Sequence, residues 1–159
     1  METLIVYTSR NGYSKECAQK IAAELGPGTD LVQITHAKLE KPLTHYDRVV
    51  IGGGIHAGSL SRKLTRFCRK NRDELRKKYL GLYICATNAE HKEEQFIKSY
   101  PKVLLESAAA KGWFGGRIIL AEHQNITLFI LKKILKSDQD LYAELPHEVE
   151  AFIANMKQR

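Results

Sequence analysis

The sequence predicts an α/β fold, a doubly wound five-stranded parallel sheet with helices on both faces, in a single domain over residues 1–159. Three observations predict it. Short β-branched, apolar runs alternate with stretches of helical periodicity, the pattern of parallel strands joined by right-handed crossovers. Tyr79 to Thr87 (YLGLYICAT) is apolar almost throughout, as a central strand covered on both faces must be. Breaks at Ser9-Arg10-Asn11-Gly12, Gly26-Pro27-Gly28 and Gly52-Gly53-Gly54 separate the runs at the spacing of strands and helices.

In chain order, Thr3 to Thr8 (TLIVYT) reads as the first strand, and Ser14 precedes a helix whose Cys17, Ala18, Ile21, Ala22 and Leu25 share one face, ended by Gly26. Asp30 to Thr35 is a weaker second strand, and a polar loop runs on through Pro42. Tyr46 to Ile51 (YDRVVI) is the third strand, stopping at the three glycines. From Ser59 a single amphipathic helix is expected, with Leu60, Leu64, Phe67, Cys68, Asn71 and Leu75 inward. After the central strand come a polar loop, Asn88 to Glu94, and a helix from Pro101 to Lys111 with Gly112 at its end. Arg117 to Ala121 (RIILA) is expected as the fifth strand. A short apolar helix from Thr127 to Lys136, read as buried in preference to seated in lipid, and a final helix carrying Val149, Phe152, Ile153 and Met156 complete the chain.

Hydrophobic residues make up 43% and charged residues 27%, which excludes disordered, collagen-like and coiled-coil classes. No run approaches the roughly 18 to 20 apolar residues of a membrane span, and Met1-Glu2-Thr3 lacks the basic start of a leader, so a cytoplasmic protein is expected. Cys17, Cys68 and Cys85 lack zinc or dithiol spacing and read as buried free thiols, with no metal site. The net charge is +7, and the segment Arg62 to Lys78, with nine basic residues against Asp73 and Glu74, carries all of it. That patch points to an acidic partner or a peripheral contact with an anionic membrane face. No aromatic residues or motifs for nucleic acid accompany it, and nucleic-acid binding is not expected.

A doubly wound sheet binds ligands outside the carboxyl ends of its strands, where strand order reverses. The loops after strands one, three and four, Ser9 to Ser14, Gly52 to Gly58 and Thr87 to His91, are therefore the candidate site. The first leads into a helix N-terminus, whose exposed N–H groups and positive dipole end suit a phosphate, with Ser9 and Ser14 as hydroxyl donors and Gly12 for the tight turn. Neither GxGxxG nor GxxxxGK[ST] is present, which argues against a dinucleotide site or a P-loop and for a monophosphate. The glycines of the second loop allow close approach of a planar ligand, and His56 offers it a hydrogen bond or a positive charge. No acid, base or nucleophile stands out.

Ile5-Val6-Tyr7-Thr8-Ser9-Arg10-Asn11-Gly12-Tyr13-Ser14, followed by Ala18 and Ile21, resembles the flavodoxin signature, with Ser14 where threonine is usual. Ser9 to Gly12, the block Tyr46-Asp47-Arg48-Val49-Val50-Ile51-Gly52 with Ile55 and Gly58, and the final helix resemble the menaquinone-dependent protoporphyrinogen dehydrogenases of the flavodoxin superfamily over nearly the whole chain. Two departures stand out. The region Glu122 to Leu145 is shorter and poorer in aromatic residues and arginine, and Ile55 and His56 stand where an aromatic flavin partner is usual. The resemblance implies a flavodoxin-like sheet of order 2-1-3-4-5 with FMN as cofactor. The implied FMN contacts are Ser9, Arg10, Asn11, Gly12, Tyr13 and Ser14, then Gly53, Gly54, Ile55, His56, Ala57 and Gly58, then Thr87 and Asn88. It further implies either a quinone-linked oxidoreductase or a non-enzymatic electron carrier serving a redox partner protein. A receiver-type signalling domain would need an acidic residue where Gly52 to Gly54 stand.

Overall fold

In the computed structural model, which describes residues 1–10, 12–35 and 39–158, five parallel strands form one sheet. They are β1 (Thr3–Thr8), β2 (Thr29–Gln33), β3 (Arg48–Gly54), β4 (Tyr79–Cys85) and β5 (Ala110–Trp113), in the order β2-β1-β3-β4-β5. Alternation along the central strands sorts their side chains into two cores. Ile5, Tyr7, Val50 and Tyr83 face Cys17, Ala18 and Ile21 of α1 (Tyr13–Leu25) and Val149, Phe152, Ile153 and Met156 of the last helix. Leu4, Val6, Val49, Ile51, Leu80 and Leu82 face the opposite layer, built from α2 (Arg62–Lys70), α3 (Arg72–Leu75), α4 (Lys92–Ser99) and α5 (Lys102–Ser107).

The third strand runs through its glycines instead of stopping at them. Gly52 and Gly53 are ladder residues because neighbours occupy the space a side chain needs: a Cβ on Gly52 would lie 2.2 Å from the Tyr83 ring, and one on Gly53 would lie 2.3 Å from Thr8 Oγ1. The single helix expected from Ser59 is two. Ser61 caps α2 by accepting the Leu64 N–H, and Asn71 closes it by donating its side-chain amide to the Phe67 carbonyl. Helix α4 begins inside the segment expected as polar loop, because its acidic first turn has the composition of a loop.

The larger correction concerns the fifth strand. The helix expected to reach Lys111 ends at Ser107, and Ala110–Trp113 pairs with Gly81–Ile84 of β4 as the sheet edge. The Ala108-Ala109-Ala110 run reads as helix by propensity, but tertiary pairing overrides it. Gly112 is a strand residue here, since a Cβ on it would lie 2.4 Å from Phe114. The segment expected as strand five lies partly in β6 (Gly115–Ile118), which pairs antiparallel with β7 (Leu141–Glu144) outside the main sheet. Between them lies α6 (Asn125–Leu135), and α7 (Pro146–Met156) follows. No residue of α6 is buried, contrary to the expected core helix: Ile126 is 74% and Ile134 70% exposed.

The three cysteines are buried free thiols, as expected. Among the described residues no helix is long and apolar enough to cross a membrane. The basic run also divides. Arg72 and Arg76 lie near Asp73, and Lys77 and Lys78 pair with Glu74, whereas Arg62, Lys63, Arg66, Arg69 and Lys70 have no carboxylate within ion-pair distance among the described residues. Within this run, the cations without a carboxylate partner among the described residues are therefore those of α2.

Candidate functional site

Strand order reverses between β1 and β3, and the loops leaving β1, β3 and β4 meet above that point around a cavity of about 240 Å³. Arg10, Tyr13 and Ser14 reach it from the first loop, Gly54, Ile55 and His56 from the second, Thr87 and Asn88 from the third. Ser9 and Ala57 line an adjoining larger cavity, and Gly58 lines a third recess beside Asn88. Gly53 lies within β3, where contact with Thr8 explains it, and Asn11 falls outside the described residues.

The first loop is shaped by Gly12, which caps α1 with φ of 86°, a left-handed conformation that costs other residues energy. Its N–H donates to Ser9 Oγ at 3.1 Å, and its carbonyl accepts the Glu16 N–H at 2.9 Å, so the turn closes on itself at the helix entrance. Ser14 sits inside the first turn instead of preceding the helix, buried, with Oγ 3.4 Å from the Tyr83 hydroxyl. The Tyr13 hydroxyl donates to the Phe114 carbonyl at 2.8 Å, and burial pushes its pKa far above the usual phenol value. Both residues tie the loop to the core beneath it.

Arg117 of β6, which the sequence reading did not include, completes this end. Its guanidinium lies 5.6 Å from the Tyr13 ring centre and grips Glu16 with two hydrogen bonds of 2.8 and 3.0 Å. A Cβ on Gly12 would lie only 3.8 Å from its Nη2. The pairing with Glu16 raises the Arg117 pKa still further, so it is a permanent cation at the helix entrance. Gly116 and Arg117 of β6, together with His123 and Leu131 beyond its end, also line the cavity. The Gly115-Gly116-Arg117 sequence, two small residues before a cation, was the available signal for a close approach.

At the opposite end, the chain leaving β3 turns tightly: the His56 N–H donates to the Ser59 carbonyl at 2.9 Å, with Ala57 and Gly58 at φ of 52° and 83°. Desolvation first, then the charge of Arg10 and the nearby His123, lower the His56 pKa below the usual 6.5. The shift favours the neutral imidazole, the form that can both donate and accept a hydrogen bond. Asn88 uses its side-chain oxygen to cap the Glu90 N–H at 3.2 Å. Its carbonyl accepts from Gln95, which in turn accepts the Trp113 indole N–H at 2.8 Å. Among the described residues no three potential ligands cluster for a metal ion, and Cys85, at the cavity floor, has its thiol pKa raised by burial. The arrangement can cradle a flat ligand with an anionic tail.

Strand order, crevice position and loop chemistry define a class: doubly wound α/β proteins that take a ligand at the β1/β3 reversal. The chain belongs to the flavodoxin domain family, whose model matches residues 4–141. It is 35% identical over 78 residues to the protoporphyrinogen IX dehydrogenase [quinone] of Escherichia coli K12, a match covering 47% of this chain and 42% of that protein. The matched stretch thus spans less than half the length of that relative. Among solved structures, the flavodoxin of Streptococcus pneumoniae TIGR4 superposes over 98% of this chain and 97% of its own, with a TM-score of 0.57 and 16% identity. Rubredoxin oxygen:oxidoreductase from Desulfovibrio gigas matches with a TM-score of 0.50 and 12% identity, over 98% of this chain and 37% of that one. These likenesses show the flavodoxin-like fold.

Proposed function

We propose that the chain is an FMN-dependent redox protein, and specifically an oxidoreductase that exchanges electrons with a quinone. The observation that carries this reading is the convergence of the three loops on one cavity, with the entrance of α1 and the Arg117 cation at one end. The residues present fit FMN. Arg10, Gly12, the first-turn N–H groups of α1 and Arg117 suit its phosphate, and Gly54 to His56 with Thr87 and Asn88 suit its ring. FMN supplies hydride and single-electron chemistry; the chain binds it, orients it and shields it from water. The quinone rests on the partial match to the E. coli dehydrogenase.

A carrier that serves a redox partner protein is the second reading. Helix α6 favours it, because Leu131 lines the cavity while Ile126, Phe129, Ile130 and Ile134 stay exposed beside it.

Titration with FMN and riboflavin, read by quenching of flavin fluorescence, tests the site. FMN should bind at least tenfold tighter, about 1.4 kcal/mol, and Gly12→Val should erase that advantage by blocking backbone approach. Failure to bind FMN, or equal affinity for both flavins, overturns the reading. Turnover of the FMN-loaded protein with a soluble quinone then separates enzyme from carrier.

A further inference from the structure

A second, larger cavity of about 710 Å³ opens between the ends of β1, β2 and β3 and the start of α2, and it shares Arg10, Gly54 and His56 with the smaller one. Its polar lining is one-sided. Arg62 and Lys63 contribute two cations that the smaller cavity lacks, beside the shared Arg10; Ser9, Ser59 and Ser61 contribute hydroxyls, and no Asp or Glu lies among the described lining residues. None of the three cations has a carboxylate within ion-pair distance among the described residues, whereas Lys98, beside Gly58, pairs with Glu94. A concave site that gathers cations and leaves them unneutralised has a standing attraction for an anion, and its volume suits a small molecule. The charge of Arg10 contributes to the lowered His56 pKa, as a local positive potential requires.

We infer that this cavity binds a small molecule bearing phosphate or carboxylate groups and holds it against the Gly54–His56 wall shared with the flavin site. Anion binding stands on the cavity alone. That the anion is the reactant exchanging electrons with the flavin rests on the function proposed above. The geometry orders the parts: anionic groups toward Arg62 and Lys63, the reacting portion toward Gly54 and His56.

Calorimetric titration of the flavin-free and the FMN-loaded protein with pyrophosphate, and separately with citrate, tests the inference. At least one of the two should bind saturably, one per chain, to both forms, and the pair of titrations shows whether phosphate or carboxylate is preferred. Binding should weaken at least tenfold in Arg62→Gln/Lys63→Gln and at most twofold in Arg69→Gln/Arg76→Gln, which removes the same charge from outside the cavity. FMN affinity should stay within twofold in both variants. The inference is overturned if neither anion binds, if the two double variants weaken binding equally, or if the anion displaces FMN and so occupies the phosphate cradle. If FMN itself does not bind, the titrations of the flavin-free protein still decide the cavity.

Discussion

Arg117 and Glu16 should move FMN affinity in opposite directions. A cation facing an anion about 6 Å away near a protein surface gains about 3 kcal/mol at an effective dielectric of about 20. The Glu16 carboxylate, held 2.8 Å from the guanidinium, cancels the greater part of that. Arg117→Gln removes that attraction and leaves the Glu16 charge facing the phosphate, so it should weaken FMN by about 3 kcal/mol, on the order of a hundredfold. Glu16→Gln leaves the cation and removes only the opposing charge, about 1.5 to 2 kcal/mol, so it should tighten FMN roughly tenfold or more. Riboflavin, which lacks the phosphate, should respond to neither change by more than about twofold, because an uncharged chain gains little from either charge. Both variants lose the same bridge between α1 and β6, so a purely structural role would weaken both flavins in both variants. Fluorescence titration of the two flavins against the three proteins reads the result. The electrostatic argument is refuted if the two substitutions shift FMN in the same direction, or if riboflavin tracks FMN.

Three other outcomes follow from the packing and charge. Gly52→Ala should cost about 3 kcal/mol or more by urea unfolding, because its Cβ meets the Tyr83 ring, itself stacked on Phe114 at 4.9 Å; an unchanged midpoint would show that the core can yield there. Asp30, paired with Lys41 at 2.8 Å and accepting the Tyr46 hydroxyl at 2.7 Å, has its carboxyl pKa lowered on folding. Its contribution is complete above the unfolded value near pH 4 and is lost as the pH falls through the folded one, so Tyr46→Phe should cost about 1 kcal/mol at pH 6 and progressively less below pH 4; a pH-independent difference in unfolding midpoint contradicts this. Through the five cations of α2 that have no carboxylate partner among the described residues, the protein should co-sediment with anionic vesicles at low salt and not with neutral ones, and Arg66→Gln/Arg69→Gln/Lys70→Gln should abolish it; binding that is indifferent to lipid charge sinks the idea.

The legible parts of the fold were those where local pattern and tertiary demand agree. Thr3–Thr8 and the Tyr79 run could be read because strands buried on both faces must be apolar at every position. The inward faces of α1 and α7 could be read because helical spacing admits one solution. Trp113 and Gly112 could not. Four residues of edge strand carry too little periodicity to compete with three alanines that favour helix, and the pairing that decides the matter comes from Gly81 to Ile84. Position in the site follows the same division: the first loop announces itself as a strand-to-helix turn, while Arg117 acquires its place only when β6 pairs with β7.

That small ribbon explains why the region after β5 was the hardest to read. Phe114 accepts hydrogen bonds from Tyr13 and from Leu145, and the Gly115 carbonyl accepts the Ala86 N–H, so the ribbon is fastened to the first loop, the last helix and the end of β4. With its roots fixed, α6 is carried over the cavity mouth, with Leu131 lining it and Ile126 and Phe129 left in solvent. A helix held this way gains little from the core, and its apolar residues at exposed positions are not explained by folding stability. Clustered exposed apolar residues mark a contact surface, and under the proposed function this is the face a quinone or a redox partner would meet.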